Sequence, residues 1–402
     1  MRPIPSKSCV SPFQRLYQKQ EENKADMSTT KTLHVGIVGA GGIAQYYHVP
    51  YLQRCKNVRV AAACDVSDTA LEQMKSKFGI RRLFRNYREL LDLDILDLIS
   101  ICTSNDMHYP VAMAAIEKGL DIYCEKPLAM TFAQAKAMYE AAKAKGIKTG
   151  VNFSHRRTPA AQLAREIIAS GALGQITYVA AVYAAGGTKY AEHPGSWRND
   201  RERASFGGMG DMGAHIIDMM RWWLDADITA LTAQTRTYVP ERISRETGQP
   251  MKVTTEDQGT ILVSYSNGAM GYFCGSYIFT GRGYDQRAEV YGTQGGLMYN
   301  QQHPYELDVF LDSEVLKRYK VLRKGGTPDT PYATILVPER LMGLIPNEPG
   351  AQRGVLMDYI DAYRTEGPFS FSPSFYEGLK VQEVLEATRL AEEGGCWVKL
   401  PL

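Results

Sequence analysis

The chain has little that would staple, anchor or strongly charge it. Its seven cysteines, at positions 9, 55, 64, 102, 124, 274 and 396, include no C-x-x-C pair. Several lie in apolar runs such as Ser100-Ile101-Cys102 and Tyr123-Cys124. A disulfide framework is therefore disfavoured, and buried free thiols in a reducing, cytoplasmic setting fit best. Charge of one sign is also lacking: the formal net charge is +2, too small to point to nucleic acid or a membrane surface as partner. No apolar run approaches the roughly 20 residues that span a bilayer, so a soluble protein is expected. No internal repeat or low-complexity tract is evident. Residues 1–31 mix Arg2, Lys7, Arg15 and Lys19 with Glu21, Glu22 and Asp26, without the apolar core of a secretory signal or a twin arginine. They read as a disordered tail, an artefact of start-site choice before Met27 or a weak organelle presequence.

At 402 residues the chain fits two domains with a cleft between them. From Leu33 short β-branched runs alternate with helical stretches, the signature of βαβ units and a doubly wound α/β domain over residues 32–150. Strands are expected at Leu33 to Val38, Val58 to Cys64, Ile95 to Cys102, Asp121 to Cys124 and Lys148 to Val151. Helices are expected at Ser67 to Phe78 and Met130 to Lys145, the latter starting at a Thr131 cap. Residues 151–402 change texture. After a helix at Ala160 to Ser170 come strands at Ile176 to Tyr183, Ile228 to Tyr238, Gly259 to Tyr265, Ala269 to Tyr277, Arg287 to Tyr291 and Glu306 to Leu311. Asn267-Gly268 marks a hairpin. The pattern predicts a large, open, mostly antiparallel sheet, with a late helix at Tyr376 to Glu392.

Three segments carry chemistry. Gly39-Ala40-Gly41-Gly42-Ile43-Ala44 follows a strand and opens a helix, the G-x-G-x-x-A form of the dinucleotide fingerprint. Gly39 permits the turn, Gly41 lets the backbone approach a pyrophosphate, and Ala44 allows close helix packing. Asp65 ends the next strand, where a carboxylate accepts from ribose hydroxyls and repels a 2′-phosphate. Val66-Ser67-Asp68 supplies no arginine for that phosphate, so NAD is favoured over NADP. The second segment, Glu125-Lys126-Pro127, stands at the carboxyl edge of the sheet, with Thr103 and Asn105 on the neighbouring edge within reach of the nicotinamide side. Lys126 can polarise a substrate oxygen, and Glu125 can bond the nicotinamide ribose; the bland reading is a surface ion pair before a helix. The third runs from Gly207 to His215. Asp211 and His215 are four apart, so that on a helix the carboxylate can orient the imidazole as a general base. The competing reading is an aspartate cap and a core histidine, and the glycines would let the backbone approach a ligand. His108 and Asp218 read as structural.

In this order the three segments resemble the glucose-fructose oxidoreductase and inositol dehydrogenase family (Gfo/Idh/MocA). The resemblance spans nearly all of residues 32–402, including Asn152 to Pro159 with Arg156-Arg157, and the strand pair from Asp257 to Gly268. It implies a Rossmann domain followed by an α+β domain whose open sheet often forms an oligomer interface. It also implies reversible hydride transfer between NAD(P) and a hydroxyl carbon of a sugar, cyclitol or related polyol. By resemblance Lys126, Asp211 and His215 are catalytic, Glu125 contacts cofactor, and the Lys126-Pro127 bond is cis. Substrate contacts are expected from Lys126, Asn152, Arg156, Trp197, Arg198, Asp211 and His215, within a pocket that includes Lys189, Tyr190 and His193. No metal is expected. Met209 within the glycine cluster and His155 before the arginine pair depart from the family pattern. Two alternatives remain: a glycosidase using held NAD for transient oxidation and elimination, and a nucleotide-sensing regulator without turnover. A homodimer or homotetramer is expected, with Gly271-Tyr272-Phe273 and Tyr277-Ile278-Phe279 as contact or core.

Overall fold

The computed structural model describes residues 31–187, 192–327, 330–345, 348 and 351–402. Apart from Lys31, the amino-terminal tail lies outside the described residues, as do Lys189 and Tyr190.

The alternating first part folds as six parallel strands in the order β3-β2-β1-β4-β5-β6. These are β1 (Leu33–Val38), β2 (Val58–Cys64), β3 (Leu83–Phe84), β4 (Leu98–Ile101), β5 (Asp121–Cys124) and β6 (Thr149–Val151). The order reverses between β1 and β4, which opens a crevice at their carboxyl ends, the usual ligand position of such sheets. Local chemistry sets the flanking helices. Ser67 caps Asp68–Phe78 by accepting from Ala70, and Thr131 caps Phe132–Ala144 by accepting from Gln134. The strand expected at Ile95 to Cys102 is shorter, as β4, because Leu93 and Leu96 close turns onto Leu90 and Leu93 before it begins.

The second part is dominated by a ten-stranded sheet in the order β16-β17-β15-β14-β13-β7-β12-β11-β8-β18. Its strands are β7 (Ile176–Ala184), β8 (Ile228–Arg236), β11 (Gln258–Tyr265), β12 (Met270–Ser276), β13 (Asp285–Gly292), β14 (Gly296–Asn300), β15 (Glu306–Phe310), β16 (Val321–Thr327), β17 (Thr330–Leu336) and β18 (Val398–Lys399). A separate small pair comprises β9 (Glu241–Ile243) and β10 (Pro250–Lys252). Every neighbouring pair in the large sheet is antiparallel except β7 with β12. At the Asn267-Gly268 hairpin, Gly268 takes φ +87° and the Asn267 side chain accepts from Ala269. β8 stops short of Tyr238 because the amides of Tyr238 and Val239 are donated to Asp257 Oδ2 instead of the ladder.

One face of the sheet is a core: Ile261, Phe273, Ala181, Ala288 and Tyr299 are fully or almost fully buried. Helices Pro159–Ala169, Ala214–Leu224 and Phe375–Gly394 pack against the large sheet, and the last also meets β6 and helix Phe132–Ala144 of the first part. A boundary at residue 150 therefore describes the order of the sheets but not the first core. Helix Val355–Arg364 returns to the amino-terminal side, where Leu356, Tyr359 and Ile360 share a cluster with Val35 and Ile37. The sequence reading missed this return because nothing local distinguishes a helix that packs on a sheet more than 200 residues earlier, as Tyr359 does through its hydroxyl to the Lys148 carbonyl.

Candidate active site

β1 ends in a turn that only glycine allows. Gly39 has φ +91°, and a Cβ there would stand 2.5 Å from the Cys102 carbonyl carbon at the end of β4. Above Gly41 the space is open, with nothing within 4 Å of a notional Cβ. Gly42 and Ile43 open the helix that follows, so its first amides face the turn as an anion site. Asp65 braces this turn: Oδ2 accepts from Ala40 at 2.7 Å and Oδ1 from Ser67 at 2.8 Å. Each oxygen keeps a lone pair for a ribose hydroxyl. At the end of β4 the buried Thr103 hydroxyl has no hydrogen-bond partner among the described residues. The open cradle over Gly41, the braced aspartate and this orphaned hydroxyl fit a nicotinamide dinucleotide. Asn105 does not fit the role expected of it, because its amide nitrogen is donated to the Ala204 carbonyl at 3.0 Å, tying the β4 edge to the second half. An arginine the sequence reading overlooked does approach the ribose end. Arg85 hydrogen-bonds Asp68 at 3.1 Å and the Val66 carbonyl at 3.2 Å, reaching residues that are distant in sequence.

Glu125 and Lys126 leave β5 beside this crevice, and the Lys126-Pro127 bond is cis. The two side chains part. Glu125 turns inward: Oε1 meets His48 Nε2 at 2.8 Å and accepts from Asn152 at 2.7 Å. His48 lies in the π-helical turn Ala44–His48 and meets Ser100 Oγ at 2.7 Å through Nδ1. Tyr123 donates to Asn152 Oδ1 at 2.9 Å. Burial opposes charge on His48, but the Cys102 sulfur and the Glu125 carboxylate outweigh it and raise the imidazole to about 10. Burial likewise opposes ionisation of Glu125, yet His48 and Lys126 hold its carboxyl below its ordinary value. The result is a buried ion pair under the crevice. Asn152, expected to touch substrate, belongs to this network, because both ends of its amide are used and it is buried.

Lys126 turns outward. Its Nζ donates to Asp211 Oδ1 at 2.5 Å and to the Asp211 carbonyl at 2.9 Å. Tyr277 from the end of β12 donates to Asp211 Oδ2 at 3.0 Å, and Arg198 Nε stands 3.8 Å from the same oxygen. Burial alone would raise the Asp211 carboxyl, but Lys126 and Arg198 drive it far below the usual carboxylate range. Asp211 therefore does not orient His215, contrary to expectation: a carboxylate already held by an ammonium, a phenol and a nearby guanidinium has no comparable gain from a neutral imidazole. Nor do the glycines serve a ligand. A Cβ on Gly207 would lie 2.0 Å from the Glu256 carbonyl oxygen, so glycine here lets two protein backbones touch. Glu256 fixes the segment by accepting from Gly207 at 2.7 Å and Met209 at 3.0 Å, and burial pushes its carboxyl up to about 7.

His215 is buried beside this cluster, stacked on His155 with ring centroids 4.0 Å apart. Burial first, then His155 and Lys126, lower its basicity well below that of a free imidazole. Trp197 and Arg198 occupy a short turn capped by Ser196, with the guanidinium 4.4 Å from the indole centroid. Arg156 is withdrawn from substrate. Its Nε and Nη2 grip both oxygens of buried Asp218 at 2.7 and 2.6 Å, and Nη1 donates to Ser372 at 2.8 Å. An exposed arginine–substrate contact would break this pair, whereas Asp218 keeps the structural role expected of it. His108 is structural too, its ring nitrogens facing the carbonyls of Pro127 and Thr103. The His193 carbonyl accepts from Arg242 at 3.3 Å. Sequence reasoning missed His48, Glu256 and Tyr277. The partners of His48 lie 52 and 77 residues away, so only the resemblance of glycine turn plus later histidine in a helix could have hinted at it.

Among the described residues no cluster of three or more His, Cys, Asp or Glu side chains is placed to hold a metal ion. No helix among them is long and apolar enough to cross a membrane.

Comparison with known proteins gives the same architecture. Residues 33–153 match a model described as an oxidoreductase family NAD-binding Rossmann fold, and residues 161–298 match the GFO/IDH/MocA C-terminal domain. The chain is 29% identical over 392 residues to levoglucosan dehydrogenase of Pseudarthrobacter phenanthrenivorans, covering 92% of this chain and 99% of that protein. A solved structure of levoglucosan dehydrogenase in complex with NADH superposes with a TM-score of 0.79 at 26% identity, over 92% of this chain and 99% of that one. An oxidoreductase domain protein from Kribbella flavida gives 0.81 at 28% identity, over 93% and 100%. With a nucleotide turn, a lysine and an aspartate drawn together from its two halves, this chain is a member of the Gfo/Idh/MocA family of sugar and polyol oxidoreductases.

Proposed function

We propose that the protein oxidises a secondary hydroxyl of a closed sugar ring or cyclitol, with NAD as acceptor. The observation that carries this reading is the convergence of Lys126 Nζ and Asp211 Oδ1 at 2.5 Å, at the carboxyl edge of the Rossmann strands, with His215 beside them. Lys126 holds and polarises the reacting oxygen. His215, kept unprotonated by burial, accepts the hydroxyl proton. Asp211, ionised between Lys126 and Arg198, takes a neighbouring hydroxyl and keeps Lys126 in place. The bound nicotinamide supplies the hydride acceptor. Asp65 and Thr103 would hold the dinucleotide from this chain's side, and Glu125 Oε2, which accepts from the Lys126 amide at 3.2 Å, keeps a lone pair for it. Trp197 and Arg198 flank the substrate. The relative acting on levoglucosan makes that anhydrosugar the first compound to try, followed by inositols and glucosides. Reduced nicotinamide forming with one of them supports the reading, and no turnover in either direction with the whole panel overturns it. No observation favours the glycosidase or regulatory alternatives. Buried thiols at Cys64, Cys102, Cys124 and Cys274 support a reducing, cytoplasmic setting.

NAD preference rests on Asp65, yet Arg85 stands close enough to soften it. Asp65→Ala is expected to narrow the ratio of NAD to NADP efficiency by about tenfold, the worth of roughly 1.4 kcal/mol. Arg85→Ala is expected to lower NADP efficiency and leave NAD efficiency unchanged. Steady-state kinetics with both cofactors checks the pair, and wild-type efficiency equal or better with NADP would defeat the preference.

We also propose a homo-oligomer formed through the uncovered face of the large sheet. Register places Leu262 opposite Tyr272, and Met270 opposite Tyr178, on that face. Met270, Leu262 and Tyr178 are 59%, 48% and 37% exposed. Phe273 and Tyr277 do not contribute: the first is core and the second bonds Asp211. An apolar patch of this kind favours closed association. Leu262→Asp with Met270→Asp is expected to convert the assembly to monomers with the fold intact. Light scattering that finds wild-type protein monomeric at all concentrations would contradict it.

A further inference from the structure

Because Asp211 is committed to Lys126, Tyr277 and Arg198, His215 has no carboxylate to orient it among the described residues. Its Nδ1 is buried without a hydrogen-bond partner among the described residues. What it does have is an aromatic seat. His155 lies flat against it, at 4.0 Å between centroids and 11° between planes. Tyr183 from β7 meets His155 at 4.9 Å and His215 at 5.9 Å, and Phe153 closes on the His215 ring edge-on at 6.3 Å.

His155 is itself held. Its Nδ1 is hydrogen-bonded to Gln286 Oε1 on β13. Gln286 is fully buried; its backbone amide donates to Gln301 Oε1 at 3.1 Å, and its side-chain nitrogen faces the Met219 sulfur at 3.8 Å. Reversing the amide would set its oxygen against a thioether that has no proton to give, so Oε1 faces His155. An amide oxygen only accepts, and the proton in this bond is therefore on Nδ1 of His155.

We propose that His155 is the positioning residue for His215: its ring, oriented by Gln286, fixes the plane of the His215 imidazole by stacking, in the place where a carboxylate would otherwise do so. This rests on the reading of His215 as proton acceptor. The charged and titratable groups facing the stack are the Lys126 ammonium, the Asp211 carboxylate and the Tyr183 phenol, while Gln286 is uncharged. Two imidazolium rings face to face beside Lys126 would place like charges against each other in a buried space. The seat therefore requires His155 to stay neutral, so that His215 can take up a proton without a like charge against its face. Burial, aided by Lys126, lowers His155 to about 4, in keeping with this requirement. A glutamine suits the task better than a carboxylate, because Glu at position 286 would draw a proton onto His155.

Three variants test the assignment: His155→Ala, which removes the seat; His155→Phe, which keeps a flat neutral ring; and Gln286→Glu, which supplies the missing charge. His155→Ala is expected to lower kcat by ten- to a hundredfold with KM changed less than threefold, and His155→Phe to recover most of that loss. Gln286→Glu is expected to introduce an acid limb between pH 5 and 8, with kcat falling as His155 becomes protonated. Titration of ring-labelled histidine by nuclear magnetic resonance, in the full chain without substrate, reads the same coupling without turnover. The signals of His155 and His215 are expected to stay flat from pH 8 to 5 in the wild type, and His155 to titrate in that window in Gln286→Glu. The proposal is overturned if His155→Ala keeps wild-type kcat and pH profile, if His155→Phe is no better than His155→Ala, or if both signals remain flat in Gln286→Glu. Absence of turnover by the wild type on every polyol defeats the functional reading instead, and leaves the titration to decide the role of the stack.

Discussion

Lys126→Ala is expected to lower turnover about a thousandfold or more while leaving the affinity for NADH within about threefold of wild type. The asymmetry follows from where the side chain points. Its backbone amide stays near Glu125 Oε2 at 3.2 Å, but Nζ leaves the cofactor side to meet Asp211. The loss falls on the group that stabilises charge at the reacting oxygen, and such a loss appears in kcat rather than in cofactor binding. Asp211 would retain Tyr277 at 3.0 Å, so the site should keep its shape. Stopped-flow fluorescence of NADH and steady-state rates on the same preparation separate the two effects. Near-normal turnover with the true substrate would remove Lys126 from the chemistry.

His48→Ala is expected to have the largest effect on stability. Its ring is wholly buried and pairs with Glu125 at 2.8 Å. Removing one partner of a buried ion pair leaves the other charge uncompensated, at a cost of about 3–5 kcal/mol. Asn152 and the Lys126 amide cannot replace a cation, and the Lys126 ammonium is drawn to Asp211. The same pair gives the wild type a pH signature. The folded state raises His48 to about 10 from an unfolded value near 6.5. Its contribution is therefore complete below about pH 6.5 and is lost as pH rises through about 10. For Glu125, whose folded value is depressed, the contribution is present above its unfolded value and lost as pH falls through the folded one. Denaturation midpoints should fall from pH 7 toward 10 in the wild type, and this fall should be shallower in His48→Ala. A variant as stable as wild type, with an unchanged pH dependence, would show that the pair adds nothing.

What the sequence made legible and what it hid divide along contact distance. The βαβ alternation, the caps at Ser67 and Thr131 and the Asn267-Gly268 hairpin depend on residues within a few positions of each other. The glycine turn was legible for the same reason, since the positive φ of Gly39 depends on that residue type alone. Partner choice was not. Asp211 and His215 are neighbours along the chain, but an ammonium 85 residues away captured the carboxylate, because charge attracts more strongly than proximity in sequence. Arg156 was drawn to Asp218, 62 residues on, and Asn105 to Ala204, 99 residues on. In each case a polar group found the partners that satisfy it, and that requirement acts through space. The return of Val355–Arg364 to the first core escaped notice on the same ground. Its apolar face fits either half of the molecule equally well as a pattern.

The central claim, that Lys126 and His215 serve hydride removal from a ring hydroxyl, is tested most directly by isotope substitution. Levoglucosan and the other polyols of the panel are incubated with NAD, and the accepted compound is then compared with its form deuterated at the oxidised carbon. The account predicts stoichiometric NADH and ketone, deuterium carried into the reduced cofactor, and a rate on the chemical step that is slower by about two- to fivefold. Sugar release without net NADH, or NADH bound tightly with no compound oxidised or reduced, would contradict it.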